Sequence, residues 1–366
     1  MTGVSTHAGT GTLIRRAVHE MDAYTPVTSL EQLSDELGIA VEDIVKLDGN
    51  ENPYGCHPLV REAIAQCRGL HIYPDPSQTQ MRQALARYVG MSADYIIGGA
   101  GGDELIDLLA RLVIDPGDNS IDCVPTFAMY AFSTQLCGGE VRQVPRRSDF
   151  TVDVQAVLQA ITPRTKAIFV ASPNNPSGNN TAEDDVRGLL ASGMLVVIDE
   201  AYYEFSGRTV AALVPEYENL VVLRTFSKWA GLAGMRIGYA LCHPQLGQHL
   251  WKMKPPYNVN AAAQAAVCAA IDHLPVLLDV VRRITDERPR LFDALTRIPY
   301  LEPRPTSANF IYCPVHGRDA RDLRDRLRHR GILIRYFDRP LLRNAVRISV
   351  GSPSDTDRLV AALEDI

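Results

Sequence analysis

Between residues 95 and 241 the hydrophobic positions fall in short consecutive runs rather than in a helical period. Runs at 95–97, 120–124, 167–171, 195–199, 220–223 and 237–241 are mostly apolar, with Ser120 and Asp122 interrupting the second and Asp199 closing the fourth. Such runs predict strands buried on both faces. Segments at 103–113 and 183–191 carry the helical period instead. Strands alternating with amphipathic helices predict a mostly parallel sheet covered by helices on both sides. In such an α/β fold ligands gather at the carboxyl ends of the strands. Past residue 261 the texture changes. A long helical stretch is predicted to residue 297, broken by Pro275 and Pro289. Strands follow at 309–312, 332–336 and 346–350, with helices at 319–330 and 355–364. We therefore divide the chain into a large domain, 56–270, and a smaller C-terminal α/β domain, 271–366. Residues 1–55 are too short to stand alone and are expected to pack with the small domain. There is no internal repeat and no low-complexity linker.

The bulk numbers narrow the function classes. The chain has 366 residues, enough for one large domain and a smaller one. A formal net charge of −6 argues against a nucleic-acid partner, which demands a basic face. No apolar run reaches the length of a membrane span. The small, polar residues 1–11 lack the apolar core of a signal peptide and read as a frayed tail. Seven cysteines are scattered without a C-x-x-C, as expected of reduced thiols in a cytoplasmic protein. Nine dispersed histidines show no ligand spacing, so no metal is expected.

Candidate chemistry concentrates at predicted strand ends. Only five lysines are present. Lys228 stands apart because the apolar run 220–223 delivers it, with Thr225 and Ser227 upstream and Gly231, Gly234 and Arg236 downstream. A lysine amine forms a Schiff base with an aldehyde cofactor. The hydroxyls, arginine and glycines suit a phosphate against close-approaching backbone. An aldehyde and a phosphate together describe pyridoxal 5'-phosphate. The run Gly98-Gly99-Ala100-Gly101-Gly102-Asp103-Glu104 turns a strand into a helix whose N-terminus can hold an anion. Arg236 is the cation available to strengthen it. A dinucleotide G-x-G-x-x-G fails because Glu104 occupies the last position. Asp199, in Asp199-Glu200-Ala201-Tyr202, ends an apolar run and needs a partner there. A protonated pyridine nitrogen is one, and a helix N-terminus is another. Tyr202 and Asn175, the latter in the stiff turn Ser172-Pro173-Asn174-Asn175-Pro176-Ser177-Gly178, can reach a ring hydroxyl. Phe127 in Pro125-Thr126-Phe127-Ala128-Met129-Tyr130 is either a ring-stacking aromatic or a core residue. The stiff loops around Asn50-Glu51-Asn52-Pro53-Tyr54-Gly55 and Tyr73-Pro74-Asp75-Pro76 precede the main sheet. Arg335 and Arg347 lie inside apolar runs, where a guanidinium must be paired. Its partner is a substrate anion or a structural carboxylate. Two such arginines can form a dianion clamp.

In this order the motifs resemble the aspartate-aminotransferase fold type (fold type I) of pyridoxal-phosphate enzymes, and within it the histidinol-phosphate aminotransferase family. The resemblance runs from about residue 24 to residue 364. It implies that Lys228 carries the Schiff base and moves the proton. It implies that Asp199 pairs with the pyridine nitrogen and that Asn175 and Tyr202 meet O3'. Gly102 and Asp103 main-chain groups, Thr225, Ser227 and Arg236 would hold the phosphate, with Phe127 stacked on the ring. Tyr73 would reach the phosphate of a neighbouring subunit, which implies a homodimer with shared sites. Tyr24, Asn50, Arg335 and Arg347 would meet the substrate. Phe127 stands where tyrosine is common in the family, and Gly102 where alanine is usual. The implied reaction moves the amino group of histidinol phosphate to 2-oxoglutarate. An aromatic or broad-range aminotransferase and a phospho-amino-acid decarboxylase share the fold and remain rivals. A nicotinamide dehydrogenase lacks its fingerprint, and a non-catalytic regulator would need an added DNA-binding domain.

Overall fold

The computed structural model describes residues 13–21 and 28–366. Eleven strands form two sheets among the described residues. They are β1 (Val45–Leu47), β2 (Ile96–Gly99), β3 (Asn119–Val124), β4 (Glu140–Pro145), β5 (Thr165–Ala171), β6 (Leu195–Asp199), β7 (Leu220–Thr225), β8 (Gly238–Cys242), β9 (Phe310–Pro314), β10 (Ile332–Tyr336) and β11 (Ala345–Ser349). The larger sheet has the order β2-β8-β7-β6-β5-β3-β4. All of its strands run parallel except β8, which is antiparallel to both neighbours.

The sequence pattern explains this sheet directly. Alternate residues of the central strands enter different cores: Ile168, Val170, Val196, Ile198 and Val222 on one face, Phe169, Val197, Val221 and Leu223 on the other. Burying each such side chain contributes about 1.5–3 kcal/mol. Helices Gly102–Val113 and Pro244–Met253 cover the second face. Helices Thr79–Val89, Glu183–Leu190 and Ala261–Asp272 cover the first. The parallel strands end in register, with Ala171, Asp199 and Leu223 side by side. Their following loops therefore meet at one edge.

The smaller sheet has the order β1-β10-β11-β9. β1 pairs parallel to β10, placing Lys46 beside Leu333. Thus a strand from the N-terminal segment completes a sheet built from the end of the chain. Helix Arg16–Glu20 lies elsewhere. Next to it, Arg15 Nη2 donates to the Leu136 carbonyl of the large domain at 2.9 Å.

Three local expectations need correction. Glu140–Pro145 is a strand, although its side chains are mostly exposed. It is the edge of the sheet, where no apolar run is required. Pro289 does not break a helix: Leu274–Thr296 runs through it. Buried Leu277, Val281, Ile284, Leu291 and Leu295 lie on both sides of the proline, and their packing offsets the roughly 3 kcal/mol cost of an internal proline. The bend falls instead before Pro275, where this helix turns 83° from Ala261–Asp272. Finally, the strand expected at 95–97 continues to Gly99, so two of the glycines lie in the sheet rather than the turn.

Behind the strand ends lies a buried ion pair. Arg224 Nε and Nη2 donate to Glu200 Oε2 at 3.0 and 2.9 Å, and both side chains are almost fully buried. The guanidinium also sits 3.7 Å from the Tyr203 ring centroid. Arg224→Leu would leave the Glu200 carboxylate unpaired, and a loss of about 3–5 kcal/mol is expected. Chemical denaturation measures it, and a loss below about 1 kcal/mol would show that the pair does not hold this edge.

Candidate active site

Lys228 follows β7 and is partly buried. Its Nζ donates to the Gly49 carbonyl at 2.9 Å. Desolvation, with Arg347 and Lys46 nearby, pushes its amine down to about 8, although Glu51 and Asp103 act in the opposite sense. A neutral amine is the nucleophilic form, so this environment prepares Lys228 for carbonyl chemistry.

Asp199 ends β6. Its Oδ2 accepts the Tyr130 hydroxyl at 2.6 Å and its Oδ1 the Ala201 N–H at 3.0 Å. Burial pushes its carboxyl up to about 6, against those two hydrogen bonds. A cation placed here would favour the carboxylate. Tyr130 is fully buried and stacks on Phe169 at 5.2 Å. Phe127 meets the edge of Tyr130 at 5.7 Å. Tyr130 closes the motif at 125–130, whose pattern alone assigns it no role. The signal was there, because a buried phenol requires a hydrogen-bond partner.

The anion end is built from β2 and the loop after β7. Gly101 has φ 87 and precedes helix Gly102–Val113. A Cβ on Gly101 would lie 2.6 Å from Arg236 Nη2, so only glycine permits the guanidinium to approach the helix start. Arg236 Nη2 also bonds Asp103 Oδ2 at 3.1 Å. Glu104, rather than a dinucleotide glycine, closes the loop: its Oε2 accepts Ala100 N–H at 2.6 Å. Thr225 and Ser227 hydroxyls bond each other at 2.9 Å.

The loop after β5 faces the small domain. Asn174 joins it to the loop after β3, accepting from Thr126 Oγ1 at 2.8 Å and donating to the Pro125 carbonyl at 3.0 Å. Asn175 Oδ1 accepts from Arg347 Nη1 at 2.6 Å. Arg347 Nη2 donates to the Asp48 carbonyl, also at 2.6 Å. Arg335 lies directly across the sheet from Arg347. Like charges directly opposite are unfavourable, so an anion between them gains from both. The Phe337 ring lies 5.7 Å from the Arg335 guanidinium and 5.6 Å from that of Arg347. Asn50, left-handed at φ 54, donates from Nδ2 to the Tyr202 hydroxyl at 2.9 Å. Ser349 Oγ donates back to Asn50 Oδ1 at 2.9 Å.

The structure thus joins Lys228, Tyr202, Asn175, Asn50 and Arg347 through these contacts, with Asp199 beside Leu223 of β7, Gly102, Asp103, Thr225, Ser227 and Arg236 at the anion end and Arg335 beside Arg347. Tyr73 lies apart, 77% exposed and stacked on Tyr257 at 4.4 Å. Tyr24 lies outside the described residues. The model for aminotransferase class I and II matches residues 42–363. The chain belongs to the class I and II aminotransferases. Within that family it is 48% identical over 363 residues to the histidinol-phosphate aminotransferase of Roseiflexus castenholzii, covering 97% of this chain and 98% of that one. The chloroplastic histidinol-phosphate aminotransferase 1 of Arabidopsis thaliana is 45% identical, covering 96% of this chain and 85% of its own. The Sinorhizobium meliloti histidinol-phosphate aminotransferase, solved in complex with pyridoxal-5'-phosphate, superposes with a TM-score of 0.87 at 29% identity, covering 96% of each chain. The strand-end loops of this aminotransferase bring a desolvated amine, a buried carboxylate and a helix start beside a guanidinium to one edge.

A direct consequence concerns the Lys228 amine. In the full-length chain without cofactor, its acetylation by acetic anhydride should rise with pH through a midpoint near 8, since only the neutral amine reacts. Mass spectrometry of the Lys228 peptide reads the midpoint. A value near the ordinary 10.5 would contradict the desolvated placement.

Proposed function

We propose that this aminotransferase uses pyridoxal 5'-phosphate to move the amino group of histidinol phosphate to 2-oxoglutarate, giving imidazole acetol phosphate and glutamate. The observation that carries the substrate is the Arg335–Arg347 cross-strand pair, of which Arg347 bonds Asn175 and the Asp48 carbonyl, next to the Gly49 carbonyl that receives Lys228. Two guanidiniums side by side suit a phosphate on one substrate and a carboxylate on the other. High identity to relatives named as histidinol-phosphate aminotransferases supports the same reading.

The donor set fits the cofactor. Lys228 Nζ would hold it through its aldehyde. The Gly102–Asp103 main chain, Thr225, Ser227 and Arg236 would hold its phosphate, with Phe127 beside its ring. Asp199 would pair with the ring nitrogen, whose positive charge would offset the cost of burying the carboxylate. Tyr202 and Asn175 would meet the ring hydroxyl. When bound, the cofactor supplies an electrophilic carbon and a ring that accepts electrons. The protein supplies the proton transfers: Lys228 Nζ takes the proton from the donor Cα. Its depressed pKa suits a base working near neutral pH. Asn50 orients the Tyr202 hydroxyl.

We further infer a homodimer. Leu70, Ile72 and Tyr73 are 70%, 63% and 77% exposed, and a contiguous apolar cluster of this kind favours a protein partner. A second copy would bring Tyr73 to its neighbour's cofactor phosphate. We also infer a cytoplasmic location, from seven scattered cysteines without a C-x-x-C.

Lys228→Ala should abolish the visible absorbance that wild-type protein gains on addition of pyridoxal 5'-phosphate. An unchanged spectrum would remove Lys228 from the chemistry. Arg335→Ala should lower kcat/KM for histidinol phosphate by about a hundredfold, near 2.7 kcal/mol, and for phenylalanine by less than about tenfold. Equal losses on the two substrates would favour a broad-range aminotransferase.

A further inference from the structure

Residues 46–52 form a strap between the two sheets, and successive residues of it serve different site groups. The Asp48 carbonyl accepts from Arg347, the Gly49 carbonyl from Lys228, and Asn50 Nδ2 bonds Tyr202. Asn50 is anchored to the small sheet by Ser349, and its carbonyl accepts from Asn309 Nδ2 at 3.0 Å. Asn52 Nδ2 holds the Trp229 carbonyl at 2.8 Å, one residue past Lys228. The strap also carries two carboxylates, Asp48 and Glu51. Neither forms an ion pair with Lys228 among the described residues. Both go to Lys46 on β1: its Nζ lies 3.0 Å from Asp48 Oδ1 and 2.5 Å from Glu51 Oε2.

This ion triad lies directly on the strap. A Cβ on Gly49 would stand 2.8 Å from Glu51 Oε2 and 2.9 Å from Lys46 Nζ. The absence of a side chain at Gly49 therefore lets the triad pack against the peptide whose carbonyl receives Lys228. Burial alone would lower the Lys46 amine, but Asp48 and Glu51 outweigh it and hold Lys46 above its ordinary pKa. The cation in the triad is thus permanent across the working pH range.

We propose that Lys46 is a positioning residue that holds the Asp48 and Glu51 carboxylates on its own amine, so that Lys228 rests on the neutral Gly49 carbonyl. This inference takes Lys228 as the reacting amine. A carboxylate on Lys228 would stabilise its ammonium form and remove the base. The charged groups facing Lys228 are Arg347 from β11, Glu51 and Lys46 from the strap, and Asp103 from the helix after β2. Lys46 and Glu51 act on it with opposite signs.

The test is the pH midpoint of Lys228 acetylation in the cofactor-free, full-length chain, read by mass spectrometry. Lys46→Met removes a repelling cation and releases Glu51. Its midpoint should rise by about half a pH unit or more, with roughly threefold less labelling below the midpoint. Glu51→Gln removes the attracting anion, and its midpoint should fall. Lys46→Arg keeps the charge and should stay at the wild-type value. A mere loosening of the strap would move Lys46→Met and Glu51→Gln in the same direction. That result, or two unmoved midpoints, overturns the proposal. Glu51 is 40% exposed, so Glu51→Gln leaves a folded chain to measure even if Lys46→Met does not. Should Lys228 not be the cofactor lysine, the Lys228→Ala spectrum reports it independently of these midpoints.

Discussion

A desolvated amine must be held without being charged, and the rest of the site depends on how this chain does so. Lys228 gives its hydrogen bond to a backbone carbonyl, an acceptor with no net charge. The same solution recurs at Arg347, whose Nη2 ends on the neighbouring carbonyl. Carbonyls orient cations while adding far less electrostatic stabilisation than carboxylates would. Lys228 therefore stays near the threshold of deprotonation. The acidic residues nearby are occupied elsewhere: Asp48 and Glu51 by Lys46, Asp103 by Arg236, Glu200 by Arg224. Asp199 is held by hydrogen bonds without an ion pair, and in the proposed function it is the carboxylate that takes its cation from the cofactor.

The two sheets divide the work. Register among parallel strands places Asp199 and the loop leading to Lys228 on one rigid edge. Antiparallel register in the small sheet sets Arg335 against Arg347. In the proposed function the first arrangement serves bond chemistry and the second the charge of the substrate. Asn50 joins them, because one side chain bonds Tyr202 on one side and Ser349 on the other. Its left-handed backbone is tolerated at asparagine more readily than at most residues, and the surrounding hydrogen bonds hold it there.

Much of the fold was legible because strands buried on both faces are mostly apolar. Strands β5, β6 and β7 stand out for that reason, whereas β3 buries Asn119, Ser120 and Asp122 among its apolar residues. Glu140–Pro145 escaped notice because an edge strand with exposed side chains carries no such constraint. The direction of β8 was not readable either, since burial sets the composition of a strand and not its sense. Within the site, side chains with costly burial announced themselves: Lys228, Asp199, Arg335 and Arg347. Tyr130 was readable in principle and was passed over. The carbonyls of Asp48 and Gly49 were not readable at all, because every residue has one and only the folded strap selects these two. The stacking of Phe337 beside both arginines likewise arises from β10 and β11 lying together, which no local pattern encodes.

With the roles proposed for Lys228 and Arg347, the strap couples chemistry to substrate choice, because adjacent carbonyls hold the two residues. Moving Asp48 to accommodate a different anion at Arg347 would shift the next peptide, whose carbonyl holds Lys228. Moving Gly49 would disturb the ion triad packed on its Cα and, through Asn50, the Tyr202 hydroxyl. Coupling of this kind follows from adjacency along the backbone, which is stiffer than coupling through side chains because the peptide unit is planar. A change in substrate is therefore accommodated more readily from Arg335 and Phe337, which lie off the strap, than from Arg347, which is bonded to it.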